Sequence, residues 1–376
     1  MYCCPICHNE NQLFFATTLD GRLYCRRCIS FIGEQASEYY VDNNDVDYEI
    51  DYPLSEEQLA ISNKALEAFK NKKNVLINAV CGAGKTELIF SSVSYALSKN
   101  LQVGFCVPRR DVIIDLIPRF EKAYKNKKVV AIYGGHNKVL NGDIILLTTH
   151  QLYRYKNYFD LLIMDEGDAF PYRGNYVLNS FFKTAIKGNY ILLSATPLPE
   201  MIAEIKQNNG VYLTLSKRYH GHPLPVPVIK VRPFIKYISI LYYLRKFLKR
   251  NYPVLIFCPL VNQCQSLYLY LNKFFNNGDY VHSQRSNREQ IIESFKNGKT
   301  KYLVTSTLLE RGITIKNIQV IVFNSHHEIF DKRCLIQISG RVGRKIDAYE
   351  GEVIYLGDFV TRAMEESIYE IKRYNR

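Results

Sequence analysis

The sequence contains no stretch of 18 uncharged apolar residues, and its start, Met1-Tyr2-Cys3-Cys4-Pro5, lacks a basic segment followed by an apolar one. A bilayer-spanning helix needs about 20 apolar residues and a secretory signal needs both of those regions, so the chain reads as cytoplasmic and at most peripheral to the cytoplasmic face of a membrane. Lys and Arg are missing between residues 34 and 51, where Glu34, Glu38, Asp42, Asp45, Asp47, Glu49 and Asp51 stand unopposed. Without clear periodicity, that segment reads as an acidic linker or a loosely docked arm. The first 33 residues lack enough apolar side chains for a core of their own.

What is present suits a soluble globular protein of about two large domains: 376 residues, 47% apolar and 23% charged. The net charge is +13, and because residues 1–33 carry +1 and the acidic segment −7, residues 52–376 hold +19. A body that basic favours a polyanionic partner through phosphate neutralisation and counterion release.

Ten cysteines in a cytosolic chain are expected to stay reduced. Five are scattered and read as buried small hydrophobes. Among the five in the first 28 residues, Cys4-Pro5-Ile6-Cys7 and Cys25-Arg26-Arg27-Cys28 form two C-x2-C knuckles with 17 residues between them. Each knuckle can offer two thiolates to one tetrahedral ion, so Zn²⁺ is expected at Cys4, Cys7, Cys25 and Cys28, and a segment this small needs a metal to fold. Arg22, Arg26 and Arg27 leave open whether the module meets DNA or docks a protein.

From Leu54 onward, apolar runs of strand length alternate with segments of helical period: 74–78, 103–107, 144–147, 161–164 and 190–193, then 254–258, 301–305, 320–323 and 352–356. Continuous apolar strands separated by helices indicate parallel sheets buried on both faces. The Pro-rich stretch 222–227 marks a boundary between two such lobes. The amphipathic segment 235–250 is expected to pack on the second sheet rather than lie on a membrane surface.

Ala79-Val80-Cys81-Gly82-Ala83-Gly84-Lys85-Thr86 follows a strand and opens a helical segment. That is the setting of a phosphate-binding loop: Gly82 and Gly84 let backbone N–H groups face the phosphates, Lys85 holds the β/γ-phosphates and Thr86 ligates Mg²⁺. Leu161–Met164 runs into Asp165-Glu166-Gly167-Asp168, where a carboxylate at a strand end can hold the Mg²⁺ shell and the next can orient the attacking water. In the second lobe, Gln337-Ile338-Ser339-Gly340-Arg341-Val342-Gly343-Arg344 sets Arg341 and Arg344 three residues apart, as if on neighbouring turns of one helical face. Guanidinium groups there could serve as arginine fingers on a γ-phosphate.

The ordered combination resembles helicase superfamily 2 over roughly residues 54–360 and implies two RecA-like lobes. Gln58 resembles the adenine-reading glutamine ahead of the loop, Pro108-Arg109-Arg110 motif Ia, Gly134-Gly135 motif Ib, and Thr148-Thr149-His150-Gln151 the next nucleic-acid-facing motif. Ser194-Ala195-Thr196 matches the motif that couples hydrolysis to movement, and Thr305-Ser306-Thr307 through Arg311-Gly312-Ile313-Thr314 resembles motif V. Gly167 and Arg285 depart from the DEAD-box RNA helicases. The cysteine module, the length and Asp165 through Tyr172 are similar to the ComFA family of late competence ATPases. That resemblance implies ATP, Mg²⁺ and Zn²⁺, single-stranded DNA, the competence channel protein, the phosphoribosyltransferase-like ComFC and a possible oligomer.

The expected organisation is therefore α/β: a four-cysteine zinc ribbon (1–33), an acidic linker (34–51) and two tandem RecA-like parallel-sheet domains (52–216 and 217–376). The expected function is an ATP-dependent single-stranded DNA translocase driving DNA uptake. A replication-restart or repair helicase, an RNA helicase and a non-catalytic DNA-binding scaffold are the alternatives.

Overall fold

Strands that are apolar at every position must be covered on both faces, and in the computed structural model, which describes residues 2–310 and 314–376, they assemble into two parallel sheets. The chain divides into two units, residues up to Ala79 with Gly84–Leu215, and Val80–Ala83 with Ser216–Arg376. Arg311, Gly312 and Ile313 of the motif V resemblance lie outside the described residues.

The first unit opens with a short antiparallel hairpin, β1 (Phe15–Thr17) and β2 (Leu23–Cys25). Its parallel sheet holds β3 (Val75–Ala79), β4 (Val103–Val107), β5 (Val129–Ile132), β6 (Ile144–Thr148), β7 (Phe159–Asp165), β8 (Ile186–Ser194) and β9 (Val211–Leu215), in the order β5-β6-β4-β7-β8-β3-β9. Helix α1 (Glu56–Lys70) leads into β3, and α2 (Phe90–Ser98), α3 (Arg110–Ala123), α4 (Tyr176–Ala185) and α5 (Pro199–Gln207) lie in the crossovers that parallel pairing requires. Ser55 starts α1 with a capping box: its hydroxyl accepts from Gln58 N–H at 3.3 Å, and Gln58 Oε1 accepts from Ser55 N–H at 2.9 Å. The side chain proposed to read a base is thereby fixed in direction by the start of its own helix.

Residues 34–51 form no regular element but are not loose. Ala36 N–H donates to Arg154 O (2.9 Å), Asp42 N–H to Asp143 Oδ1 (3.0 Å), Asn100 Nδ2 to Val41 O (2.9 Å) and Glu49 N–H to Ala123 O (3.0 Å). Val41 is buried, Tyr48 packs its ring against Phe90 and Tyr124, Glu49 pairs with Lys125 and Asp51 with Lys122. The arm therefore spends part of its acidity on a basic face of the first unit.

The second unit holds β10 (Val228–Val231), β11 (Val254–Phe257), β12 (Gly278–Val281), β13 (Tyr302–Thr305), β14 (Gln319–Phe323) and β15 (Val353–Gly357), all parallel, in the order β10-β15-β14-β11-β13-β12. Its helices are α6 (Lys236–Leu248), α7 (Val261–Asn272), α8 (Arg288–Lys296), α9 (Lys332–Ser339) and α10 (Arg362–Tyr374). Helix α6 buries Ile240, Leu244 and Phe247 in a cluster with Val254, Ile256, Ile321 and Leu356, so its apolar stripe belongs to the sheet. Among the described residues no helix is long and apolar enough to cross a membrane.

Asp143 holds the arm from beneath: it is buried, accepts from Asp42 N–H through Oδ1, and accepts from Lys128 N–H through Oδ2 at 2.8 Å. Replacing it by Ala strands two N–H groups, at a cost of about 1–3 kcal/mol. Asp143→Ala is expected to lower the urea midpoint accordingly and to make residues 34–51 the first site of cleavage in limited proteolysis.

Candidate nucleotide and zinc sites

Two cross-strand registers place the chemistry of the first unit. Asn78 of β3 pairs with Ser194 of β8, and Leu193 of β8 pairs with Asp165 of β7. The C-terminal ends of β3, β8 and β7 therefore lie side by side, with the loop 79–86, Ser194-Ala195-Thr196 and Asp165–Asp168 leaving the same edge of the sheet. That edge is where open parallel sheets bind ligands.

Gly82 (φ 83°) and Gly84 (φ 72°) take left-handed conformations that strain any other residue. Lys85 is half-buried, Thr86 is buried, and a 3₁₀ turn, Glu87–Ile89, precedes α2. Helix α2 proper thus starts later than a helix opening at the loop would. Buried Glu87 is ion-paired with Arg119. A Cβ on Gly84 would come within 2.8 Å of Gln58 Nε2 and 3.0 Å of the Tyr52 hydroxyl. Tyr52 was not singled out by sequence. Its signal is positional, an aromatic residue just ahead of Pro53 and the α1 capping box.

Asp165 ends β7 half-buried, and Glu166 sits at φ 59°, a left-handed conformation that costs a non-glycine residue about 1–3 kcal/mol. Glu166 N–H donates to Leu193 O (3.0 Å) and to Asp165 Oδ1 (2.9 Å), which holds the turn. Asp168, also unassigned by sequence, is buried and accepts from Ser194 Oγ at 2.8 Å and Thr196 Oγ1 at 2.7 Å. Thr196 N–H in turn donates to Ser194 Oγ (3.0 Å), and Ala195 is buried between them. One carboxylate thereby ties the loop after β7 to the loop after β8.

The residues expected to face nucleic acid follow the neighbouring strands. Arg109 caps α3 just beyond β4, Gly135 (φ 81°) lies in the exposed loop after β5, and Thr149 and His150 begin the 3₁₀ turn after β6. Since β5, β6 and β4 adjoin, these residues share one half of the edge and the phosphate-loop residues share the other. Thr149 departs from expectation: it is 0% exposed, so in this conformation the turn offers backbone and His150, not the Thr149 hydroxyl. The His150 ring stacks on Phe31 at 6.2 Å, and burial lowers its pKa. In the second unit, Ser306 is buried and Thr307 starts a 3₁₀ turn after β13.

Gln337 lies in α9, buried, but the two arginines do not share a helical face. Helix α9 ends at Ser339, Gly340 caps it, tighter hydrogen bonds carry the chain through Arg341 and Val342, and Gly343 (φ 67°) turns it away. Glycine on both sides of Arg341-Val342 ended the helical spacing. The outcome is asymmetric: Arg341 is 2% exposed, whereas Arg344 is half-buried and donates from Nε to Gly340 O at 2.9 Å.

Cys4, Cys7, Cys25 and Cys28 are buried with their sulfurs within 4.8 Å of one another. Cys4 and Cys28 Sγ are 3.5 Å apart, Cys7 and Cys25 Sγ 3.7 Å. Four thiolates around Zn²⁺ at about 2.3 Å would be about 3.8 Å apart, so the donor set fits that ion. The module is seated on the first unit: Tyr176 Oη donates to His8 O (2.9 Å), Arg27 lies 3.8 Å over the Phe14 ring, and Phe31 packs against Tyr153 and Phe181.

Residues 51–198 match the family described as "Type III restriction enzyme, res subunit", and residues 236–345 match "Helicase conserved C-terminal domain". The chain is 31% identical to competence protein ComFA of Bacillus subtilis, over 100% of this chain and 86% of that protein. It is also 31% identical to ComFA of Streptococcus pneumoniae, over 95% and 86%. Among solved structures it resembles S. cerevisiae Dbp5 bound to RNA and ADP BeF3, with a TM-score of 0.63, 17% identity, 89% of this chain and 93% of that one.

Two outcomes test these sites. Purified protein is expected to carry about one zinc per chain by elemental analysis, and Cys25→Ser to lose it together with several degrees of thermal stability; a metal-free protein that melts normally contradicts the assignment. Asp168→Ala should cost about 1–3 kcal/mol by leaving two buried hydroxyls without their acceptor, with Asp168→Asn costing less.

Proposed function

The chain belongs to the ComFA family within helicase superfamily 2, and on that premise we propose that this ATP-dependent helicase-type enzyme is a single-stranded DNA translocase whose hydrolysis is stimulated by the strand. The observation that carries the reading is Asp168. It bonds Ser194 and Thr196 at 2.8 and 2.7 Å, so a displacement of the catalytic loop after β7 must be felt in the loop after β8.

In this reading Lys85 and the glycine-rich backbone hold the phosphates, Gln58 reads the base and Tyr52 stacks beside it. Thr86 and Asp165 would hold Mg²⁺, which would neutralise charge at the phosphates. Glu166 orients the attacking water, and Gln337, Arg341 and Arg344 stabilise the transferred charge. Arg109, Gly135, His150, with Thr149 behind it, Ser306 and Thr307 grip the backbone of the strand. Backbone grip carries no sequence information, so binding is sequence-tolerant and salt-sensitive. The competence proteins it resembles support a role in competence; the reading adds DNA uptake at the cytoplasmic face of the membrane, with the channel protein and ComFC as proposed partners.

ATP hydrolysis should rise at least tenfold with single-stranded DNA and fall at least a hundredfold in Lys85→Ala. A rate that single-stranded DNA does not change, or that Lys85→Ala leaves intact, contradicts the proposal. Equal stimulation by single-stranded RNA of the same length would replace DNA as the substrate class.

A further inference from the structure

Arg218 follows β9 at the start of the second unit and is 3% exposed. Its Nη1 donates to Gly343 O at 2.6 Å, while Nε and Nη2 are buried with no hydrogen-bond partner. Burying a guanidinium costs several kcal/mol unless its donors are met by acceptors and its charge by an anion. Neither condition holds. Burial, and after it the Arg344 cation, pull its pKa down to about 10, and the other groups that act on it are Cys81 and Tyr219, neither a carboxylate. Nearby His220 also contacts Gly343 O, at 3.0 Å, and its pKa is lowered by burial and then by Arg218. Two guanidinium groups and a histidine thus converge, and among the described residues no carboxylate acts on Arg218.

What lies beside this cluster is part of the phosphate loop. Residues 80–83 group with the second unit: Tyr219 N–H donates to Gly82 O (3.1 Å), and Cys81 Sγ lies 3.0 Å from Gln337 Oε1. A Cβ on Gly82 would stand 3.7 Å from Cγ, Cδ and Nε of Arg218. The two unpartnered donors therefore lie on a guanidinium packed against the glycine that lets the loop turn toward phosphate.

We propose that Arg218 is a phosphate-binding residue, which with Arg344 completes the cationic lining for the terminal phosphates of a nucleoside triphosphate and uses Nε and Nη2 as donors to them. The assignment rests on the ATPase reading above but adds a residue outside every helicase motif found in the sequence. It also accounts for why so costly a group is kept: its desolvation is repaid only in the liganded protein.

The test uses the full-length protein with MgATP, MgADP and adenosine, binding being followed by fluorescence competition and folding by thermal melting without nucleotide. Arg218→Gln keeps a donor for Gly343 O and removes the charge. It is expected to weaken MgATP at least tenfold, MgADP less and adenosine not at all, while the nucleotide-free protein melts no lower than wild type. If Arg218→Gln does not fold, Arg218→Lys, which keeps charge but loses the fork, should weaken MgATP about fivefold. MgATP affinity within twofold of wild type in the variant that folds would overturn the assignment, as would equal weakening of adenosine. Lys85→Ala separates the two failures: if it too binds MgATP normally, the nucleotide reading itself is wrong, whereas if it alone loses binding, only the role of Arg218 falls.

Discussion

Parallel pairing is the constraint from which the rest follows. Each strand of a parallel sheet must be followed by a crossover before the next begins, so every C-terminal strand end faces the same edge. In the first unit that edge collects seven strand ends in the order set by strand adjacency, β5-β6-β4 and then β7-β8-β3-β9. Residues as distant in sequence as Lys85, Asp165 and Ser194 become neighbours for no other reason. The same order separates the loops proposed to face nucleic acid from the loops proposed to face nucleotide on one continuous rim, with β4 and β7 adjoining at the border. Fold and function are joined at a single hydrogen-bonded carboxylate, Asp168, which spans the gap between two of these loops.

The legibility of each strand followed its burial. The central strands, apolar and buried at nearly every position apart from the first half of β8, stood out as continuous runs. Strands β5, β9, β10 and β12 did not, and they are the four edges of the two sheets. An edge strand has one hydrogen-bonding neighbour and less cover, so its positions mix buried with partly exposed, as in Val228–Val231, where none is buried. A search for unbroken apolar runs necessarily misses such strands. The phosphate loop and the Asp-Glu pair were legible because a glycine-rich Gly-Lys-Thr loop opening a helical segment and an acidic pair at a strand end occur together, in the arrangement that phosphate and Mg²⁺ binding require. Asp168 and Tyr52 were not, since their importance lies in contacts across the sheet edge rather than in local pattern. Arg341 and Arg344 were legible as residue types but not as geometry, because Gly340 and Gly343 end the helical spacing that had put them on one face.

The acidic arm shows how a compositional signal can be read correctly in sign and incompletely in consequence. Seven uncompensated carboxylates argue against a packed segment only if no basic surface is available to receive them. Lys122, Lys125 and Lys127 supply that surface, and Asp143 and Asn100 satisfy the arm's backbone, so the segment is ordered by partners more than 50 residues away. A chain-wide charge of +13 therefore understates the basicity of the rest of the protein while concealing that part of it is already neutralised internally. What remains positive is the portion free to meet a polyanion.

The four-cysteine module is held in two ways that differ in kind. Four clustered cysteines form a donor set that fits one metal ion, and its placement on the first unit comes from aromatic and hydrogen-bond contacts, among them Phe31 lying between His150 and Phe181. His150 heads the turn that follows β6, so the ring that fastens the module also buttresses a residue proposed to face the strand. A module attached only by a flexible linker would leave that turn unsupported. Here Tyr153 Oη donates to Ile32 O and Arg154 Nη1 to Glu34 O, so the chain leaving the module is stitched to the same turn at successive residues. A Cβ on Gly33 would approach within 2.6 Å of Tyr153 Oη, so a larger residue at the crossing would make the Tyr153 and Arg154 side-chain tips shift. The four-cysteine module and the turn that follows β6 are in this sense one structural element, built from opposite ends of the first 154 residues.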